Sequence, residues 1–317
     1  MSIGRVGNNQ LTRQLMANLK TQLTQQERLF EQISSNKRIL RASDDPTGAS
    51  ISMNLHDQLN MLEEYDNVIS SGDVWTNVTN TALDSGVSTW KRVNEVAISA
   101  ADGTKTAADR QGMAEELEQL LQHMVQIANT THGDRYIFGG SSTDTPPFRS
   151  EIDANTGKVT GVFYEGNNQV RKVKTKEEGT VDIGVLGSNA GSPDKPGSFI
   201  DSRTGTNVFK TIIDLRDKLL NNDISGISGA NGIIKDIETA SQSLVSSQVR
   251  LGGSQEVLQL DRNRIIEQTS DVGQFLSEVE EADIAKLILE LNNAQNVYEA
   301  ALAAGGRLLQ TGLLNFI

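Results

Sequence analysis

Apolar residues recur along this chain at alternating steps of three and four, the spacing that lines one helix face and makes a coiled-coil or bundle seam. Met113, Leu117, Leu120, Met124 and Ile127 keep that spacing, as do Ile265, Thr269, Val272, Leu276 and Val279. The rhythm slips through the acidic stretch EVEEAD at 278–283 and resumes with Leu287, Leu291, Ala294, Tyr298 and Ala301, which predicts two helices meeting at a joint. A looser stripe of Ile51, Leu55, Leu59, Leu62 and Ile69 is interrupted by SSGD at 70–73 and continues at Leu83, Val87 and Trp90. Val208, Ile212, Leu215 and Leu219 open the helices of the second half. Near the start, Leu11, Leu15, Leu19 and Leu23 form a narrow stripe among Gln, Asn and Thr. So thin a surface is marginal for an isolated helix and needs a partner.

Between about 135 and 205 the character changes, because this region holds 11 of the 28 glycines and four of the five prolines. Short strands and turns are the natural expectation. Val181, Ile183 and Val185 alternate as strand residues do, while NTGK at 155–158 and EGNN at 165–168 read as hairpin turns. SGISGANG at 225–232 reads as a turn between helices. The expected fold is therefore mainly α, a long helical bundle or coiled coil formed by the N- and C-terminal segments, with a small β-rich domain inserted in the middle. The boundaries expected are a terminal coiled-coil segment with its linker at 1–44, helical parts at 45–138 and 206–277, the β-rich insertion at 139–205 and a second terminal segment at 278–317.

SNKRILRASDDP places a cap at the joint between the first two helices. Ser43, Asp44 or Asp45 can accept hydrogen bonds from the unpaired amides of a helix start, and Pro46 suits the first turn, where its missing donor costs nothing.

Charge adds an asymmetry between the ends. Residues 1–41 carry seven Lys or Arg against two acids, a net of +5, and residues 276–317 carry six acids against two bases, a net of -4. Opposite signs favour pairing of the two terminal segments, within one molecule or between neighbours. For any single charge a solvated helix face is the better reading, and most apolar stripes are ordinary bundle core, so an intersubunit role is reserved for the two ends. There the expected assembly residues are Leu11, Leu15, Leu19 and Leu23, with Leu287, Leu291, Ala294, Tyr298, Ala301, Leu308, Leu313 and Leu314. The C-terminal stretch AALAAGGRLLQTGLLNFI would be an exposed apolar patch on a free monomer, the mark of an assembling subunit.

Composition narrows the classes. With 37% hydrophobic and 4% aromatic residues in 317, a single large core is not expected, and the molecule should be elongated. A net charge of -12 argues against a nucleic-acid partner, whose phosphates call for Lys and Arg. There is no cysteine, hence no disulfide or thiolate metal site. His56, His123 and His132 have no metal-ligand spacing, and no phosphate-binding loop, nucleophile elbow or metalloprotease motif occurs. Catalytic, cofactor and metal sites are all expected to be absent, as is membrane insertion, since no stretch approaches the ~20 apolar residues of a spanning helix. The start of the chain lacks the apolar run of a cleaved secretory signal, so the expectation is retention or a route that reads no such signal.

The order of ISSNKRILRASDDP, WKRVNEVAISAADGT at 90–104, GDRYIFGGSSTDTPPF at 133–148, FYEG at 163–166 and a C-terminal helix ending LLNFI resembles the bacterial flagellin superfamily. The chain departs from filament subunits at Asp44-Asp45-Pro46-Thr47-Gly48, where these commonly have Asp-Asp-Ala-Ala-Gly, and in its last residues. Those departures favour a subunit that joins hook to filament, with the filament subunit itself as the alternative and a cytosolic helical scaffold behind both. The resemblance implies export as a monomer by the flagellar type III apparatus without a cleaved signal, and an export chaperone on the C-terminal segment. It also implies assembly with neighbouring hook-associated and filament proteins and with further copies of the chain at the extracellular flagellum. Arg92 and Glu95 keep a pattern that an innate immune receptor reads in flagellins, but Asn94 stands where that pattern has arginine.

Overall fold

The computed structural model describes residues 3–190, 194–228 and 232–314, with side chains described for Gln10 and from Thr12 to Arg307 outside those gaps. The chain divides into two compact units, residues 1–62 with 267–317, and residues 63–266. As expected, the fold is mainly helical with a small strand-rich region in the middle.

The first unit contains α1 (Ile3–Ser35), the first turns of α2 (Pro46–Ala100), the last turns of α6 (Ile233–Glu280) and α7 (Ile284–Leu314). The break at 281–283 lies where the heptad rhythm slips. Helices α1 and α7 pack against each other.

The second unit is built round the continuation of α2, α3 (Ala107–Ala128), α4 (Val208–Leu220), the short α5 (Ser225–Ser228) and most of α6. Helix α3 starts cleanly because Thr106 and Asp109 form a reciprocal capping box. Its inward row, Ala114, Leu117, Leu121, Met124 and Ile127, is buried and packs on α4. Trp75 and Trp90 are both core residues, and the Trp90 indole donates to the Ile237 carbonyl at 3.0 Å.

SSGD does not interrupt α2. Ser71 hydrogen-bonds back to the Asn67 carbonyl, and Ile183, Leu258 and Val173 pack over the helix at Gly72. Tertiary packing here outweighs a weak local propensity.

The strands form small separate sheets. β1 (Thr131–His132) and β2 (Arg135–Tyr136) make a hairpin around Gly133, whose φ of 60° suits a residue without a Cβ. β3 (Phe148–Ile152) and β4 (Val159–Tyr164) are antiparallel across NTGK, as expected of a hairpin turn. β5 (Lys172–Lys176) pairs with β6 (Gly179–Asp182), and β7 (Leu186–Ser188) lies parallel to β8 (Gly197–Asp201), which pairs antiparallel with β9 (Thr206–Asn207).

Two local expectations change. EGNN connects strands that belong to different sheets and is no hairpin turn. It folds back on the YIFGG segment instead: Asn167 donates its amide to the Gly139 carbonyl at 3.1 Å, and the Tyr164 hydroxyl donates to the carbonyls of Phe138 and Asn167. Ile183 and Val185 lie beyond the end of β6, and both are buried. Phe138, Phe148, Phe199 and Phe209 form the aromatic centre, with ring centroids 5.1–5.7 Å apart. Among the described residues no helix is long and apolar enough to cross a membrane.

Candidate assembly interface and its joint

The contact between α1 and α7 is antiparallel. Gln26 on α1 donates its side-chain amide to the Ala294 carbonyl on α7 at 3.0 Å, and Leu15 meets Gly305. On α7 the inward positions are Ile284, Leu287, Leu291, Ala294, Tyr298, Ala301 and Gly305, half-buried or buried and an unbroken three-four repeat. Of the residues expected from the sequence on this helix, Leu287, Leu291, Ala294, Tyr298 and Ala301 lie on this row.

On α1 the covered positions are Thr12, Leu15, Leu19, Gln22, Gln26, Leu29, Gln32 and Ile33. Leu15 and Leu19 belong to this row, whereas Leu23 is exposed and faces away from the seam. Steps of four drift round a helix of 3.6 residues per turn, so four leucines at that step cannot all face one partner. The side chains of Leu11, Leu308, Leu313 and Leu314 lie outside the described residues.

A seam containing Thr12, Gln22 and Gln26 on one side and Ala294, Ala301 and Gly305 on the other buries little apolar surface, which keeps the pair marginal. Small residues also set its closeness. A Cβ on Gly305 would stand 2.5 Å from a Leu15 methyl, but one on Gly306 would meet open space. Gly305→Ala should therefore slow trypsin cleavage of the free chain after Arg13 and Lys20 less than Gly306→Ala does, because displacing the Leu15 methyl offsets the helix propensity of about 1 kcal/mol that alanine returns. Gly306→Ala should slow the same cleavage severalfold through propensity alone.

The charges at the chain ends are concentrated where the helices turn. Residues 36–45 leave α1 through Asn36, whose φ of 54° gives a left-handed helix stop that asparagine tolerates. Backbone bonds then tie this linker to the α6–α7 break, from the Arg38 amide to the Glu280 carbonyl at 2.6 Å and from the Ala282 amide to the Asn36 carbonyl at 3.2 Å. Glu280 is the hub. Its carboxylate takes Lys37 at 2.7 Å, His56 at 2.9 Å and the Ser52 hydroxyl. Arg38 reaches both Asp45 at 3.2 Å and the Val279 carbonyl at 2.9 Å, and Arg28 pairs with Asp44 at 3.2 Å.

Asp45 occupies the cap of α2, its carboxylate accepting the Gly48 amide at 2.9 Å with Pro46 as the next residue. That bond to Gly48 and the nearby Arg38 hold the Asp45 carboxyl below its ordinary range, against a smaller effect of burial. Asp44 accepts from the Arg41 amide at 3.1 Å, and Ser43 is exposed. The sequence pointed to the cap and to the break. It did not reveal Glu280, whose partners Ser52 and His56 lie more than two hundred residues away along the chain.

Burial alone would raise the Glu280 pKa, but the hydrogen bonds from Lys37, Ser52 and His56 outweigh it and hold the value at about 2. A depressed carboxylate contributes stability above its unfolded pKa and loses it as pH falls toward the folded value. The joint should loosen between about pH 4.5 and 2, with Asp45 and Glu281, both also lowered, adding to the effect. Limited proteolysis across the linker at stepped pH would check this: Glu280→Gln should cleave faster at pH 6 and depend less on acid.

Among the described residues no group of three His, Cys, Asp or Glu could hold a metal ion. What the site offers is a helix-pair surface and a charged clasp.

Comparison with known proteins agrees with this geometry. A model of the bacterial flagellin N-terminal helical region matches residues 6–143. Flagellar hook-associated protein 3 of Escherichia coli is 24% identical over 85% of this chain and 87% of its own length. Flagellin FlaB1 of Treponema pallidum is also 24% identical, over 76% of this chain and 84% of its own. The structure of hook-associated protein 3 from Legionella pneumophila superimposes with a TM-score of 0.60 at 14% identity, covering 72% of this chain and 98% of that one. Residues 6–143 thus match the bacterial flagellin N-terminal helical region, and the chain shares its fold with hook-associated protein 3 from Legionella pneumophila.

Proposed function

We propose that this chain is a structural subunit of the flagellar hook–filament junction, with no enzymatic role. Its terminal segments, 1–44 and 278–317, are the assembling part and 139–205 the outward one. The chain leaves the cell as a monomer through the flagellar type III apparatus, with an export chaperone covering its apolar C-terminal segment. Its terminal helices close on one another as it is built in beside hook-associated proteins, filament subunits and further copies of itself. The observation that carries the reading is the thin α1–α7 seam, too polar to be secure alone, with the Glu280 clasp at its end. The likeness to a hook-associated protein 3 over most of both chains supports it.

A second reading, the filament subunit itself, draws on the flagellin from Treponema pallidum, which is as similar by identity. Electron microscopy of a deletion strain, with the culture medium assayed for flagellin, separates the two. A junction subunit leaves bare hooks and flagellin lost into the medium; a filament subunit leaves bare hooks and no released flagellin. Normal filaments would overturn both.

A further inference from the structure

Trp75 on α2 gathers basic groups around a ring whose own donor is open. The Arg171 guanidinium lies over this ring, 4.3 Å from its centroid, and the His132 imidazole meets it edge-on at 6.0 Å. His132 and Arg135 are directly paired across the β1–β2 hairpin, so their side chains leave on the same face of that ribbon. The Trp75 indole N–H is buried and has no hydrogen-bond partner among the described residues. Neither Arg135 nor Arg171 has an ion pair or a side-chain hydrogen bond there, whereas Arg149, Arg203, Arg216 and Arg262 in the same unit each hold a carboxylate. With 41 Asp or Glu to 29 Lys or Arg in the chain, the two arginines are not left unpaired for want of acids.

They lie instead close to one another. Burial first, and the charge of Arg135 second, hold the Arg171 guanidinium below its ordinary pKa. The face of Trp75 offsets part of the cost of placing two cations together, but a ring face engages none of the five N–H donors of a guanidinium. Cations that a fold brings together and does not neutralise mark a place for an anion. We propose that Arg135 and Arg171, with the Trp75 and His132 rings beside them, form a binding site for a phosphate group, as the free ion or as the monoester of a small molecule. Each guanidinium presents a planar fork that matches two oxygens. A carboxylate, with two oxygens and one charge, is filled by one such fork; two forks suit a tetrahedral dianion. Arg135 is exposed and Arg171 half-buried, so the ligand meets solvent at the first and the ring at the second. It ties the β1–β2 hairpin to the segment leading into β5, and occupancy therefore stabilises this unit.

The inference concerns the unit 63–266 alone and does not rest on the place of the chain in the flagellum. Calorimetric titration of the full chain with inorganic phosphate at fixed ionic strength should show one site per chain, saturating at about millimolar phosphate, with a rise in thermal midpoint over the same range. Arg135→Gln should weaken binding about tenfold, the loss expected of one charge-assisted fork. Arg171→Lys keeps the charge and the ring contact and removes the fork; it should unfold like the native chain in phosphate-free buffer and also bind about tenfold more weakly. Arg149→Gln, which takes an exposed arginine from Glu165, should bind as the native chain does. A glycerol phosphate in place of the ion separates the two sources: equal binding would mark the free ion as sufficient, tighter binding a phosphate ester, and both keep the site. No saturation by about 20 mM phosphate, binding unchanged in both Arg135→Gln and Arg171→Lys, or acetate binding as tightly as phosphate would each overturn it.

Discussion

Replacing Arg216 with methionine should cost about 3–5 kcal/mol of stability, because it leaves a carboxylate buried without its counter-charge. Arg216 on α4 is almost wholly buried and donates to Glu118 on α3 at 2.5 Å and to the Val159 carbonyl on β4 at 2.7 Å. Glu118 in turn accepts the Val159 amide at 2.9 Å. One ion pair thus fastens two helices and a strand, and its removal strands both a charge and a backbone carbonyl. Urea unfolding followed by circular dichroism would read the loss. Adding Glu118→Gln to Arg216→Met should recover part of it, since the neutral amide still accepts the Val159 amide and leaves no charge to desolvate. If the double variant is no better than the single one, the loss comes from packing instead.

Phe148→Ala should be comparably damaging, about 3–5 kcal/mol, from lost apolar transfer and the cavity left behind. Its ring touches Tyr164, Phe199 and Phe209 at centroid distances of 5.1, 5.5 and 5.1 Å. Its backbone is clasped on both sides by the Asn129 side chain at the end of α3, at 3.0 and 2.8 Å. The cavity would therefore open where the helices meet the strand region, with the backbone held in place and little able to collapse into it. A fall in the thermal midpoint much larger than that of Phe148→Leu would bear this out; equal falls would mean that the site relaxes around the missing ring.

The periodicities were informative to different degrees, for reasons visible in particular residues. On α7 the repeat from Leu287 to Ala301 named the inward face, because its apolar positions kept the three-four step that only one face can satisfy. On α1 the leucines misled. Its inward row includes Gln22 and Gln26, which a hydrophobic pattern cannot select, and Gln26 is accommodated there by a carbonyl 268 residues away. The acidic and basic counts at the chain ends indicated attraction between them. The structure places part of it at one joint, around Glu280, Lys37 and Arg38.

What the sequence determined by itself was local: helices where apolar residues recur with a helical period, a break at EVEEAD, a cap at Asp45-Pro46, and strands and turns where glycine and proline accumulate. Each follows from the backbone and side-chain preferences of a few neighbouring residues. Tertiary structure decided the continuity of α2 through SSGD, the use of EGNN as a brace for YIFGG, the partners of Glu280 and the side of α1 that meets α7. Those depend on hydrogen bonds and contacts between residues far apart in the chain, whose energies exceed local preference and leave no local pattern to read.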